Sequence, residues 1–227
     1  MITEPFRPVR GIGIAASVLI GLTAVHAVAD AITTQKFVKV VQDQIDGIGT
    51  MDDLEAANNL NLAVSIPGVL VTIAAGVTFI VWIYRSRRNA ERVTYASEHR
   101  RGRGWAIGSW ITPIVALWFP FQIVQDVWRS FDPAQQDRPL QARDKNGFLA
   151  VWWTAFLLMS WGDRAVTRLW LRDTDMATVA AWTWVTAVVT IVAAALAVVL
   201  IKRLTDLQDV TRPQEFSGPV QVHVPGA

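Results

Sequence analysis

The sequence contains no cysteine, only three histidines and two tyrosines, and its positive charge is carried almost entirely by arginine. The missing cysteine excludes disulfides, thiolate metal sites, thiol nucleophiles and a lipoprotein anchor. His26, His99 and His223 lie far apart in the chain, and one histidine at a time cannot fill a zinc or haem coordination shell. HExxH, GxSxG, P-loop and CxxCH patterns are all missing. The expectation is therefore a protein that is not an enzyme and carries no cofactor. A net charge of +2 is too small to imply nucleic acid, and the basic residues cluster beside apolar runs, which is an orientation signal.

What the chain has in excess is hydrophobic residues, at 52%. Apolar runs extend from Gly11 to about Ala31, from Leu60 to Tyr84 and from Met176 to Ile201, each long enough to cross a bilayer. A fourth, from Phe148, meets Asp163 and Arg164 early and must extend to about Val166 to span. Arg7 and Arg10 precede the first run, which ends in small residues at signal-peptidase spacing (His26-Ala27-Val28-Ala29-Asp30-Ala31). Retention is expected, because the run is long for a signal peptide and a helical pattern continues through Phe37, Val40, Val41 and Ile45. Thr50 with Asp53 is a capping signal for the second helix.

The stretch GSWITPIVALWFPFQIVQDVW, residues 108–128, is apolar enough to look like a further span. Pro113 and Pro120 would break a helix through it twice, and Pro120 suits the first turn of a new helix. From there Phe121, Val124, Trp128 and Phe131 share one face, and Gln122, Gln125, Asp126 and Arg129 another. Arg85, Arg87, Arg88, Arg92, Arg100, Arg101 and Arg103 mark an inner side, and a segment that enters and returns leaves far more Lys and Arg inside than one that crosses.

The expected fold is all-α: a polytopic integral membrane helix bundle in a single domain over residues 1–204. Its four spanning helices are placed at about 11–31, 60–84, 148–166 and 176–201, with a proline-broken re-entrant and interfacial segment over 104–131. Both termini would be cytoplasmic, and 205–227, with three prolines, would form an unstructured tail.

The blocks WIYRSRRNAERV, GRGWAIGSWITPIVALWFPFQIVQDVWRSFDP and FLAVWWTAFLL resemble the bacterial membrane proteins grouped as domain-of-unknown-function family 4328 (DUF4328). The likeness covers roughly residues 60–200. The pattern differs at Ala116, Leu117, Trp118 and Phe119, where the family often carries a polar or basic residue between the two prolines. The resemblance implies a multi-span protein of the bacterial cell membrane and carries no activity with it.

Two groups of residues stand out as candidate sites. Gln122, Gln125, Asp126 and Arg129 are expected to present a docking face to a partner, with Trp118, Phe121 and Trp128 holding the segment in place. His26 and Asp30 lie one turn apart at the outer end of the first helix, and Arg164 and Arg168 one turn apart on the fourth. Charge at such depth is costly and seeks partners, so these four are expected to form one polar cluster. The leading functional expectation is a non-catalytic membrane subunit or scaffold that contacts lipids and a protein partner or a second copy. A small transporter or lipid-binding protein, using 104–128 as its site, is the alternative. A transporter should carry water-accessible polar groups deep in the bundle, and a scaffold a dry interior.

Overall fold

The computed structural model describes residues 6–170 and 175–211, and every regular element among them is helical. The α-helices are α1 (Arg10–Ile45), α2 (Met51–Ala90), α3 (Trp105–Ile111), α4 (Phe119–Phe131), α5 (Gly147–Trp170) and α6 (Met176–Thr211). Helices α1, α2 and α6 are long and apolar enough to cross a membrane. Helix α5 has 24 residues, about 36 Å at 1.5 Å per residue, and packs along α6.

Helix α1 lies against both α2 and α6. Small residues set these approaches, as is usual where helices meet without a water-driven force. A Cβ on Gly13 would press on Ile201, Thr205 and the Trp82 indole, and between α5 and α6 one on Gly162 would strike Thr186. The α1–α2 hairpin turns through Gly47, whose φ of +78° is open only to glycine at little cost. The capping box at the start of α2 forms as expected, with the Thr50 hydroxyl taking the Asp53 N–H and the Asp53 carboxylate the Thr50 N–H. The Thr50 hydroxyl also donates to the Asp53 carboxylate at 2.5 Å, and this bond, with that from the Thr50 N–H, holds the carboxyl below its ordinary range.

The chain reverses between α3 and α4. Thr112 ends α3 just before Pro113, a single 3-10 turn covers Val115–Leu117, and Pro120 sits in the first turn of α4. The two helices run back along one another. Trp105 meets Phe119 edge-to-face at 5.0 Å, Arg101 lies 3.6 Å above the Phe119 ring, and Arg100 reaches Asp126. The indole N–H of Trp153, on α5, donates to the Leu117 carbonyl at 3.0 Å and fixes the turn to the bundle. Trp110 wedges between Phe79 of α2 (5.4 Å) and Phe156 of α5 (5.8 Å).

One expectation is revised in the helices themselves. Helix α6 continues to Thr211 with Thr205 and Gln208 buried, so the start of the stretch expected to be a loose tail is helical. The reason is a polar seam: Trp82 donates to Thr205 (3.3 Å), Gln208 to Ser86 (3.1 Å) and Asn89 to Gln208 (3.1 Å). Residues 212–227 of that tail lie outside the described residues. Helix α1 runs about four turns past the apolar run to Ile45, in line with the helical pattern through Phe37, Val40, Val41 and Ile45.

Candidate functional site

The charged residues concentrate at one end of the bundle, around the last turns of α2, the 91–104 loop, α4 and the 132–146 loop. Asp126 is the hub of this cap. It is 1% exposed and accepts from the Arg100 backbone N–H (2.9 Å), Nε (2.9 Å) and guanidinium NH2 (2.7 Å). Arg100 NH2 also reaches the Gln122 carbonyl at 3.1 Å, and Arg101 Nε donates to the Gln122 side chain at 2.9 Å. Arg87 is buried against Glu91 at 2.7 Å, and Arg103 closes on the other oxygen of the same carboxylate. Burial lowers the Arg87 pKa from its ordinary value, and Glu91 beside it opposes the shift. Arg143, 5% exposed, ties the 132–146 loop to α4 by donating to the Arg129 carbonyl at 2.7 Å.

His99 lies inside this cap, 8% exposed. Its Nε2 is 2.9 Å from the Thr94 hydroxyl. That hydroxyl spends its own proton on the Ala90 carbonyl at 2.8 Å, so it accepts and the proton resides on Nε2. Nδ1 is buried and bonded to nothing, which suits the neutral ring, where this nitrogen carries only a lone pair. Burial, and then the Arg87 charge, pull the His99 pKa down to about 4.

The polar face of α4 therefore does not look outward as expected. Gln125, Asp126 and Arg129 are 1%, 1% and 4% exposed and Gln122 is half-buried; the 91–104 loop bonds to Gln122 and Asp126, and Arg129 Nε donates to the Asp144 carbonyl of the 132–146 loop at 3.3 Å. Of the residues expected to hold the segment in place, Trp118 is exposed, at 41%. Phe121 stacks on Trp153 at 6.4 Å, and Trp128 packs against the core, in keeping with an anchoring role. Gln125 is the anomaly: both heteroatoms of its amide are buried and without a partner. An unmade bond of that kind costs about 1–3 kcal/mol.

The second candidate cluster also divides. His26 Nε2 lies 3.2 Å from the Val64 carbonyl and Asp30 accepts from Ser65 at 3.2 Å, so both turn to α2. The carbonyl can only accept, so His26 carries its proton on Nε2. Arg164 donates back to the Ser160 carbonyl of its own helix, and Arg168 is exposed. Matched depth on two helices does not set which way each side chain turns. What accommodates His26 is Gly68: a Cβ there would lie 1.7 Å from the imidazole Nε2, a full overlap. Pro67, just before it, is the one proline inside α2. A proline followed by glycine in an otherwise apolar helix was the sequence signal for this close approach.

Two further features were not foreseen. The segment before α1 is clamped by Asn89, which accepts from the Arg7 N–H and donates to the Arg7 carbonyl, both at 2.9 Å. An apolar cleft of about 190 Å³ also opens among α1, α2, α3, α5 and α6. Among the described residues no three His, Asp or Glu side chains gather as a metal site would need.

Neither curated proteins nor solved structures give a match to this chain. Residues 46–206, which include all of α2 to α5, the cap and most of α6, match the family described as "Domain of unknown function (DUF4328)". The chain belongs to that family.

Proposed function

We propose that this protein is a non-catalytic scaffold of the bacterial plasma membrane, which offers a rigid cytoplasmic cap to a protein partner. Helices α1, α2, α5 and α6 cross the bilayer, the α3–α4 hairpin enters from the inner side and returns, and both termini are cytoplasmic. The arginine-rich end of α2 and the loop after it agree with that orientation. The observation that carries the functional reading is a separation of chemistry. The cleft within the bundle is lined almost wholly by apolar side chains, whereas the ion pairs Arg87–Glu91 and Arg100–Asp126 lie in the cap. A pathway for a polar solute would need the reverse, with ionisable groups deep in the bundle.

Because the polar face of α4 is covered, the docking surface moves to the outside of the cap. A shallow polar cleft there is bordered by Thr94, Tyr95, Glu98, Asp137 and Arg138. Tyr95 is 78% exposed, an aromatic of the kind that anchors protein interfaces.

Two experiments test this. A photo-crosslinking residue in place of Tyr95 should give one discrete protein adduct in cells that is absent when the same residue replaces Ile48; matching profiles at both positions refute the docking role. Single cysteines at Gln136 and Ile48, on the naturally cysteine-free background, should be respectively silent and reactive towards an impermeant thiol reagent. Labelling at Gln136 refutes the four-span arrangement.

A further inference from the structure

The apolar cleft is the feature that the scaffold reading leaves unused. It lies at the depth of the apolar runs, and the Trp110 indole of the α3–α4 hairpin, edge-on to Phe79, is part of its lining. Aromatic rings and small residues line it, the rings from Phe79, Trp152 and Phe156 and the small residues including Gly76, Ala193 and Ala194. Its polar atoms are few. The Thr23 hydroxyl is already spent on the Ile20 carbonyl at 2.7 Å, so water would find little to bond. Apolar cavities of about 150 Å³ stay dry in proteins and take up benzene-sized apolar groups, and this one, at 190 Å³, is larger. It is not sealed, because Thr72 and Gly76 on α2 are both exposed along its rim.

We propose that this cleft is a lipid site that holds part of one acyl chain of a membrane phospholipid. The occupant follows from volume and surroundings. The rings of Phe79 and Trp152, with centroids 6.0 Å apart, are in contact and form the floor. At about 190 Å³ the cleft above them is too small for a turn of helix, which is about 10 Å across with its side chains, so a second copy or a partner helix does not fit, whereas a few methylenes of an acyl chain do. The rim opens beside Ile73 and Val77, which are 58% and 57% exposed, on a helix long and apolar enough to cross a membrane. What surrounds such a face is hydrocarbon. The aromatic lining gives broad contact to a flexible chain, and the missing side chain of Gly76 leaves the entrance open, since a Cβ there would meet nothing within 4 Å. The proposal rests on the bilayer placement of the bundle and is independent of docking at the cap.

The test uses the full chain in nanodiscs of phosphatidylglycerol that carries a photoactivatable diazirine at mid-chain, with adducts mapped by mass spectrometry. Adducts at Phe156 and Met159 are expected several-fold above those at Ile73 and Val188, which face outward and report ordinary contact with the bilayer. Gly76→Leu fills the entrance with a good helix former and should cut the cleft adducts at least fivefold, leaving Ile73 and Val188 unchanged. Thr72→Phe, on the next turn of the rim, serves the same purpose if Gly76→Leu does not accumulate. Cleft adducts no higher than the outward ones, or unaltered by filling the entrance, would overturn the proposal. Loss of adducts at Ile73 and Val188 as well would instead overturn the membrane placement on which it stands.

Discussion

Removing the carboxylate of Asp126 should open the cap without disturbing the bundle beneath it. The group is 1% exposed and accepts three N–H donors from Arg100, whose side chain is 27% exposed. Its charge also favours the cationic forms of Arg87, Arg129 and His99, which crowd the same side of α4. Breaking a buried pair from one side costs about 3–5 kcal/mol, because the surviving charge is left uncompensated. Arg100 can recover some water contact, so the lower end, about 3 kcal/mol, is the expectation for Asp126→Ala. Asp126→Asn keeps an acceptor for the guanidinium but sets an amide N–H₂ against the Arg100 backbone N–H, and should cost about 2 kcal/mol. The assay is trypsin cleavage in mild detergent at the arginines of the 100–103 loop, with opening much faster than cutting. Cleavage then tracks the open population, and 3 kcal/mol corresponds to about a hundredfold faster cleavage at one decade per 1.4 kcal/mol. Arg100→Ala combined with Asp126→Ala should cost clearly less than the two changes added together. Cleavage within twofold of wild type for Asp126→Ala, or strict additivity in the double variant, would refute the role of Asp126 as hub.

Other outcomes follow from neighbouring groups. The folded-state pKa of His99, about 4, lies below the ordinary value of about 6.5, so the unfolded chain binds the proton more tightly between them. Cap stability should therefore fall as pH drops through that window, by at most about 1.4 kcal/mol per pH unit; a His99→Gln variant with the same slope would exclude His99 as its source. Gln125→Leu removes two buried, unpartnered heteroatoms and should stabilise the purified protein by about 1–3 kcal/mol; lower stability would mean that the amide is engaged. Gly68→Ala must displace His26 and lower the thermal midpoint, whereas in a His26→Ala background it should be neutral or raise it, since alanine is favoured over glycine in a helix by about 1 kcal/mol. Equal loss in both backgrounds would show that His26 and Gly68 do not meet. By the same geometry Asp30→Ala and Arg164→Ala should combine additively in thermal stability, because each is held by its own partner; a coupled pair would restore the polar cluster first expected from their depth.

The long helices were legible because twenty apolar residues in a row have few other uses. The break at residues 112–119 was legible too, since two prolines seven residues apart leave no continuous helix, and Pro120 stands in the first turn of α4 as its fixed φ favours. What periodicity could not supply was the environment of each face. Spacing divides α4 into a polar and an apolar side, but whether water or protein covers the polar side depends on Arg100 and Arg101, more than twenty residues earlier in the chain. By sequence alone the arginine run is an orientation signal. The same side chains also act as internal donors, and only their packing reveals which carboxylates and carbonyls they serve. The cleft was hidden for a related reason, since it belongs to five helices at once and no single segment carries its pattern.

Asn89 has a consequence for the order in which the molecule is completed. Its amide holds the backbone at Arg7 and also donates to Gln208, so residues near both ends of the described chain meet at one side chain. A ribosome delivers Arg7 first and Gln208 some two hundred residues later. Until α6 arrives, the amide of Asn89 and the hydroxyl of Ser86 lack their α6 partner, and Trp82 lacks the hydroxyl of Thr205. Closure of the bundle is therefore a late event in synthesis. A nascent chain halted before residue 205 would keep its helices yet leave open the seam by which a finished molecule differs from an unfinished one.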